Sequence, residues 1–293
     1  MKPVVLVTGA AGLIGHYVIR TAVQWAPSWE VRGLTRADLD LTDCNKVERA
    51  LRSIKPHAVV HCAALSRTKD CEQDPKKARL INVDVTAHLA ELSQDIPFIF
   101  LSSGEVFDGN SGWYREMDEP NPINVYGKTK LQAERIVLRN PGHTALRIVL
   151  TAGTSQNGLR SFVEDMCRAA ASNREVTLFE DEYRCPLPAG VIARAIWALL
   201  DRGKPGLYHL GGSERLSRWE IGQALLPWYP ELEGRLVKRF ARNYQGAPRP
   251  RDLSLCCDKI QDLISFRIPG FRTWLAERSA RGSDPWDYLE KAS

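Results

Sequence analysis

The chain has 293 residues, 44% of them hydrophobic and 26% charged, with a net charge of +5. That balance is ordinary for a folded protein and excludes a disordered polyelectrolyte. No run approaches the roughly 18 apolar residues that a membrane span needs. The start, Met1-Lys2-Pro3, leads straight into the strand-like Val4–Val7 with no charged region ahead of a long apolar one. A secretory signal is therefore not expected, and a cytoplasmic protein away from membranes is. The seven cysteines (44, 62, 71, 167, 185, 256 and 257) are scattered and form no C-x-x-C pair. They read as reduced thiols rather than as a disulfide framework, and no ligand cluster argues for a metal.

In chain order, Val4–Thr8 is a short β-branched run, and apolar residues at 13, 14, 17, 18 and 22 follow with helical spacing. Glu30–Leu34 reads as a second strand, and 45–53 as a helix broken before Pro56. The strand Ala58–Val60, a helix over 75–94, the strand Pro97–Ser102, a helix over 126–138 and the strand Ala145–Leu150 complete the first half. Short apolar strands alternating with helices predict an α/β fold, a doubly wound parallel sheet covered on both faces. The second half is less regular. Helices are predicted over 161–171, 190–201 and 219–226, with short strands at Val176–Phe179 and Leu207–Leu210. The expected division is a dinucleotide-binding domain over 1–155 and a smaller α/β substrate-binding lobe over 156–293, exchanging elements with the first.

The loop Thr8-Gly9-Ala10-Ala11-Gly12-Leu13-Ile14-Gly15 joins the first strand to the first helix as G-x-x-G-x-x-G. Glycine serves the turn at 9, lets backbone approach a pyrophosphate at 12, and allows close helix–strand packing at 15. The unpaired N–H groups of the helix then face the phosphates, so a Rossmann-like NAD(P) site is expected here. Cofactor choice is read at the end of the second strand, Gly33-Leu34-Thr35-Arg36, where no carboxylate occurs before Asp38. An arginine there suits a 2′-phosphate, which favours NADP over NAD.

Tyr126-Gly127-Lys128-Thr129-Lys130 opens a predicted helix, with Tyr126 and Lys130 on one face. Ketone reduction needs a proton donor at oxygen. A neighbouring ammonium is expected to lower the tyrosine's pKa from about 10. Ser102-Ser103 ends the preceding strand, where a hydroxyl can steady a developing alkoxide. Further on, Arg235, Lys238, Arg239, Arg242, Arg249 and Arg251 form a run with no acidic residue. It reads either as a solvated face or as a site for a substrate diphosphate. No recognition motif accompanies it, so nucleic acid is not an expected partner.

With these motifs in place the chain resembles the extended short-chain dehydrogenase/reductases, and within them it is most similar to the dTDP-4-dehydrorhamnose reductase family. The resemblance spans nearly the whole length. It runs through the glycine loop, Asp38-Leu39-Asp40-Leu41-Thr42-Asp43, Pro56–Ala64, Asn82-Val83, Ser103–Gly109 and Asn124–Leu131. It continues in Asp181–Pro186 and Arg249-Pro250-Arg251-Asp252. It implies Ser103, Tyr126 and Lys130 as the catalytic set, and cofactor contacts from Gly9, Ala11, Gly12, Leu13, Ile14, Gly15, Arg36, Ala63, Ala64 and Lys130. It implies substrate contacts from Glu105, Arg184, Arg249 and Arg251, and helical surfaces that pair as a homodimer. The chain departs from the family where Thr-Asp-Tyr is replaced by Ser103-Gly104-Glu105 and Pro-Thr by Pro186-Leu187.

The activity this implies is NADPH-dependent reduction of a 4-keto nucleotide sugar, with the proton from Tyr126. Two alternatives stand beside it. One is an epimerase or dehydratase that holds NAD. The other is a dinucleotide-binding regulatory subunit of another enzyme.

Overall fold

The computed structural model describes residues 1–288. Its centre is a six-stranded parallel sheet: β1 Val4–Thr8, β2 Glu30–Leu34, β3 Ala58–His61, β4 Phe98–Ser103, β5 His143–Ile148 and β6 Gly206–Leu210. The spatial order is β6-β5-β4-β3-β1-β2. After β1 the chain runs outward to β2 and then returns to lay β3 on the other side of β1, with Val5 opposite Ala58 and Thr8 opposite His61. Such a reversal leaves a crevice beyond the carboxyl ends of the strands, where ligands of doubly wound sheets bind.

Inner strands of such a sheet are buried on both faces, which is why they read as continuous apolar runs. Val5, Val7, Val60, Ile99 and Leu146 pack on one face with the helices Leu13–Trp25 and Ala189–Arg202. Leu6, Val59, Phe98, Phe100 and Ala145 pack on the other with Val47, Leu51, Val85, Leu89 and Val137. β2 lies at the edge and is largely exposed, matching its polar Glu30-Val31-Arg32.

The second half of the chain is interleaved with the first. β6 pairs with β5 from Gly206–Thr144 to Leu210–Ile148. Trp197 on the Ala189–Arg202 helix donates its indole N–H to the Val18 carbonyl of the first helix at 3.2 Å. Three small two-stranded ribbons complete the second half. Val176–Phe179 pairs with Leu236–Arg239, Tyr183–Arg184 with Leu216–Ser217, and Thr151–Ala152 with Leu187–Pro188. The helix expected as one piece over 75–94 is divided. Pro75–Arg79 and Val85–Leu92 are separated by a widened turn at Leu80–Asp84. That turn points Asn82 inward, where its side chain bonds both N–H and C=O of Leu65 and the hydroxyl of Thr129. None of the described helices is long and apolar enough to cross a membrane.

Candidate active site

A cavity of about 780 Å³ opens along the carboxyl ends of the strands. One end is the glycine loop. Gly9 has φ +69°, and a Cβ there would lie 2.7 Å from the Ala63 nitrogen. A Cβ on Gly15 would lie 2.4 Å from the Gly9 carbonyl oxygen. Only glycine allows this close approach of loop, helix and β3. The loop therefore makes a tight cradle with the start of the Leu13–Trp25 helix above it, which suits a pyrophosphate. Ala11, Gly12, Leu13, Ile14, Arg36, Ala63 and Ala64 line the same cavity. Asp38 does not present its carboxylate to it, because that group accepts from the Thr35 N–H at 2.9 Å and hydroxyl at 2.7 Å.

The other end holds Ser103, Glu105, Tyr126, Lys130 and Arg184. Asn124 caps the tyrosine's helix by accepting from Gly127 N at 2.8 Å, and its amide donates to the Glu105 carboxylate at 2.7 Å. Gly127 lets the helix start sit against the turn after β4, since a Cβ there would be 2.0 Å from the Glu105 carbonyl oxygen. The two serines that end β4 divide their roles. Ser102 donates to the buried Glu134 at 2.7 Å, whereas Ser103 caps the turn at Glu105 N and hydrogen-bonds Tyr126.

The electrostatics correct one expectation. Burial pushes the Tyr126 phenol above its ordinary value, with the Ser103 hydrogen bond working the other way, and Lys130 is not among the groups that lower it. Burial instead pulls Lys130 down to about 7, against the field of Glu134. The lysine Nζ sits 3.9 Å from the centre of the Phe100 ring. Glu134 is itself held by Arg147 at 2.6 Å and 3.0 Å in a pair almost closed to solvent.

The basic run does not act as one surface. Lys238 pairs with Glu180 at 2.9 Å, and Arg242 covers Phe240. Arg251 is exposed and lines neither this cavity nor the next. Arg249 reaches inward, its Nε and Nη2 held by Glu182 at 2.6 Å and 2.8 Å. The same carboxylate is 3.1 Å from Arg184. Arg184 also donates to the carbonyls of Tyr183 and Pro250, which clamps these two segments together.

Arg249 lines a second cavity of about 620 Å³, with Arg218, Arg239, Phe179, Phe240 and Tyr244. The Arg218 guanidinium lies 4.9 Å from the ring of Phe162, which lines the first cavity. Its Nη1 is buried with no hydrogen-bond partner. Arg218 and the aromatic residues were not legible as site residues, because only the ribbons of the second half bring them to Arg249.

The RmlD substrate-binding domain model matches residues 1–282. The chain belongs to this family, the dTDP-4-dehydrorhamnose reductase branch of the extended short-chain dehydrogenase/reductases, and so to the NAD(P)-dependent oxidoreductases. It is 33% identical over 290 residues to methionine adenosyltransferase 2 subunit beta of Bos taurus, covering 93% of this chain and 86% of that one. It is 31% identical over 275 residues to the dTDP-4-dehydrorhamnose reductase of Sinorhizobium fredii, covering 89% and 92%. Among solved structures, the dTDP-4-dehydrorhamnose reductase of Bacillus anthracis in complex with NADP superposes with a TM-score of 0.85 at 22% identity, over 96% of this chain and all of the other. The likeness to that structure bears out the doubly wound fold.

Proposed function

We propose that this protein is an NADPH-dependent reductase of a 4-keto nucleotide sugar. The observation that carries this reading is the meeting of Ser103, Tyr126 and Lys130 with the glycine loop and Arg36 in one cavity. Bound NADPH supplies the hydride for the carbonyl carbon. The Ser103 hydroxyl holds the carbonyl oxygen, and the Tyr126 hydroxyl donates the proton that this oxygen gains. Tyr126, held high by burial, keeps its proton until negative charge builds on the substrate oxygen. Lys130, its pKa pulled down to about 7 by burial, lines the same cavity and returns a proton to the tyrosine after turnover. The second cavity supports the nucleotide half of the substrate. Its arginines suit a diphosphate, and the exposed rings of Phe240 and Tyr244 offer surface for a base.

A second reading is favoured by the relatives named methionine adenosyltransferase 2 subunit beta: a dinucleotide-binding subunit that controls a partner enzyme. The complete set of Ser103, Tyr126 and Lys130 favours the reductase. An epimerase or dehydratase would retain NAD, which Arg36 at the end of β2 counts against.

The test is a fluorescence titration with NADPH and NADH, followed by addition of a 4-keto nucleotide sugar to watch cofactor oxidation. We expect oxidation by the wild type. Tyr126→Phe should lose turnover by at least about 100-fold with NADPH affinity kept within about twofold. Tight NADPH binding with no oxidation across several keto-sugars would favour the regulatory subunit. NAD that stays bound through purification would favour the epimerase.

A further inference from the structure

Glu182 is a buried carboxylate in the middle of an arginine cluster. It holds Arg249 through two hydrogen bonds and Arg184 at 3.1 Å. Arg184 is additionally 3.9 Å from Glu105. Arg218 makes no direct salt bridge among the described residues but lies in the field of the same Glu182, and its Nη1 has no hydrogen-bond partner. Four guanidinia therefore border the second cavity or its partition, and two carboxylates cancel two of them. What faces an incoming ligand is the cluster's net charge of about two, shared among guanidinia that all lie around Glu182 except the exposed Arg239.

We infer that Glu182 is a specificity-determining residue, setting the charge of the second cavity so that it accepts a diphosphate diester in preference to a free nucleoside diphosphate. The inference rests on the nucleotide-sugar reading. In a nucleotide sugar both phosphates are esterified, and each carries a single charge. Those two charges match the net charge left when Glu182 and Glu105 are set against the four guanidinia. A free nucleoside diphosphate ends in a phosphate monoester, whose further ionisation near pH 6 adds charge at neutral pH. With Glu182 in place that extra charge has no free cation to meet. Without it, Arg249 would be available. At effective dielectric constants between about 20 and about 80, one unit of charge about 6 Å away changes affinity by on the order of tenfold. A carboxylate that merely orients Arg249 makes a different prediction, because its loss would weaken both ligands alike.

The experiment is calorimetric titration of the full chain with dTDP-glucose and with dTDP, for the wild type, Glu182→Gln and Arg239→Gln. The sugar's own contacts cancel in the change of the affinity ratio. Glu182→Gln should shift that ratio toward dTDP by about tenfold. Arg239→Gln alters an exposed side chain, so it keeps the test decisive if Glu182→Gln does not fold. It should shift the ratio several-fold the other way. Ligands that bind with a ratio unchanged within about twofold in the variants that fold would overturn the inference and leave the nucleotide-sugar reading standing. A wild type that binds neither ligand would overturn both.

Discussion

After β2, Arg36 and Asp40 both line the first cavity, the Asp40 carboxylate being engaged by the Thr42 N–H and hydroxyl, while Asp38 is turned away. Asp38 closes the turn through Thr35. The ribose hydroxyls of NAD call for an acceptor at this place, and a 2′-phosphate calls for a donor with positive charge. Charge-assisted hydrogen bonds of this kind are each worth about 1.5–3 kcal/mol. Arg36→Ala should therefore weaken NADPH by about 10- to 100-fold and NADH by less than about threefold. Fluorescence titration measures both, and equal losses would remove the basis for preferring NADPH. Single residues of the cofactor end were legible because their chemistry is tied to sequence spacing: Gly9, Gly12 and Gly15 fall in one strand–helix turn. Glu182 was not. Its role depends on Arg249, 67 positions away, and no local pattern connects the two.

The element that decides the active-site geometry is the start of the Val125–Val137 helix. It is pressed against the turn after β4, with Asn124 bonding Glu105 and with Gly127 over the Glu105 carbonyl. A methyl group at 127 meets main chain rather than a flexible side chain, so the helix start must move away from Ser103. Overpacking of this kind costs about 1–3 kcal/mol. Misplacing a proton donor by about 1 Å can cost on the order of 100-fold in rate. We expect Gly127→Ala to lose both stability and kcat while NADPH binding at the glycine loop is preserved. A denaturant melt and a kcat measurement check this, and an unchanged kcat would show that Tyr126 does not depend on this contact. The helix itself was legible over 126–138, with the tyrosine–lysine pair at its start. The widened turn at Leu80–Asp84 was not, since nothing in the sequence around Asn82 interrupts a helical pattern. The ribbon Val176–Phe179 with Leu236–Arg239 was half legible. Its first strand is β-branched and apolar, whereas the second lies wholly within the basic run that had suggested a surface.

Across the whole molecule, two buried histidines link strands of the central sheet. His61 on β3 lies between the hydroxyls of Thr8 on β1 and Thr86, at 2.7 Å and 3.0 Å, and packs against Phe98 and Phe100. His209 on β6 contacts Arg147 on β5 at 3.2 Å and the Tyr114 carbonyl at 2.9 Å. Burial pulls both pKa values to about 3, with Lys130 adding to the effect on His61 and Arg147 on His209. The sign of the consequence follows from proton counting. In the unfolded chain these rings take up protons as pH falls below about 6.5, while in the folded protein they stay neutral until about 3. The unfolded state therefore binds more protons throughout that window, and stability falls as pH falls. Each histidine contributes a slope approaching about 1.4 kcal/mol per pH unit once well below pH 6.5. Lys130 acts in the same direction from about 7 upward, until the thiols of the unfolded chain ionise near 9 while the buried Cys62, Cys71 and Cys185 keep their protons and oppose the rise. Urea denaturation at pH 7, 6 and 5 should show a steepening loss on the acid side. Replacing His209 with Gln, which carries no titratable group, should lower the slope by one histidine's share, about 1 kcal/mol per pH unit between pH 6 and 5, with His16, His61 and His143 still contributing. A slope unchanged by that substitution would mean that His209 is protonated in the folded protein. The contact with Arg147 would then have to be relieved by movement of β6 against β5.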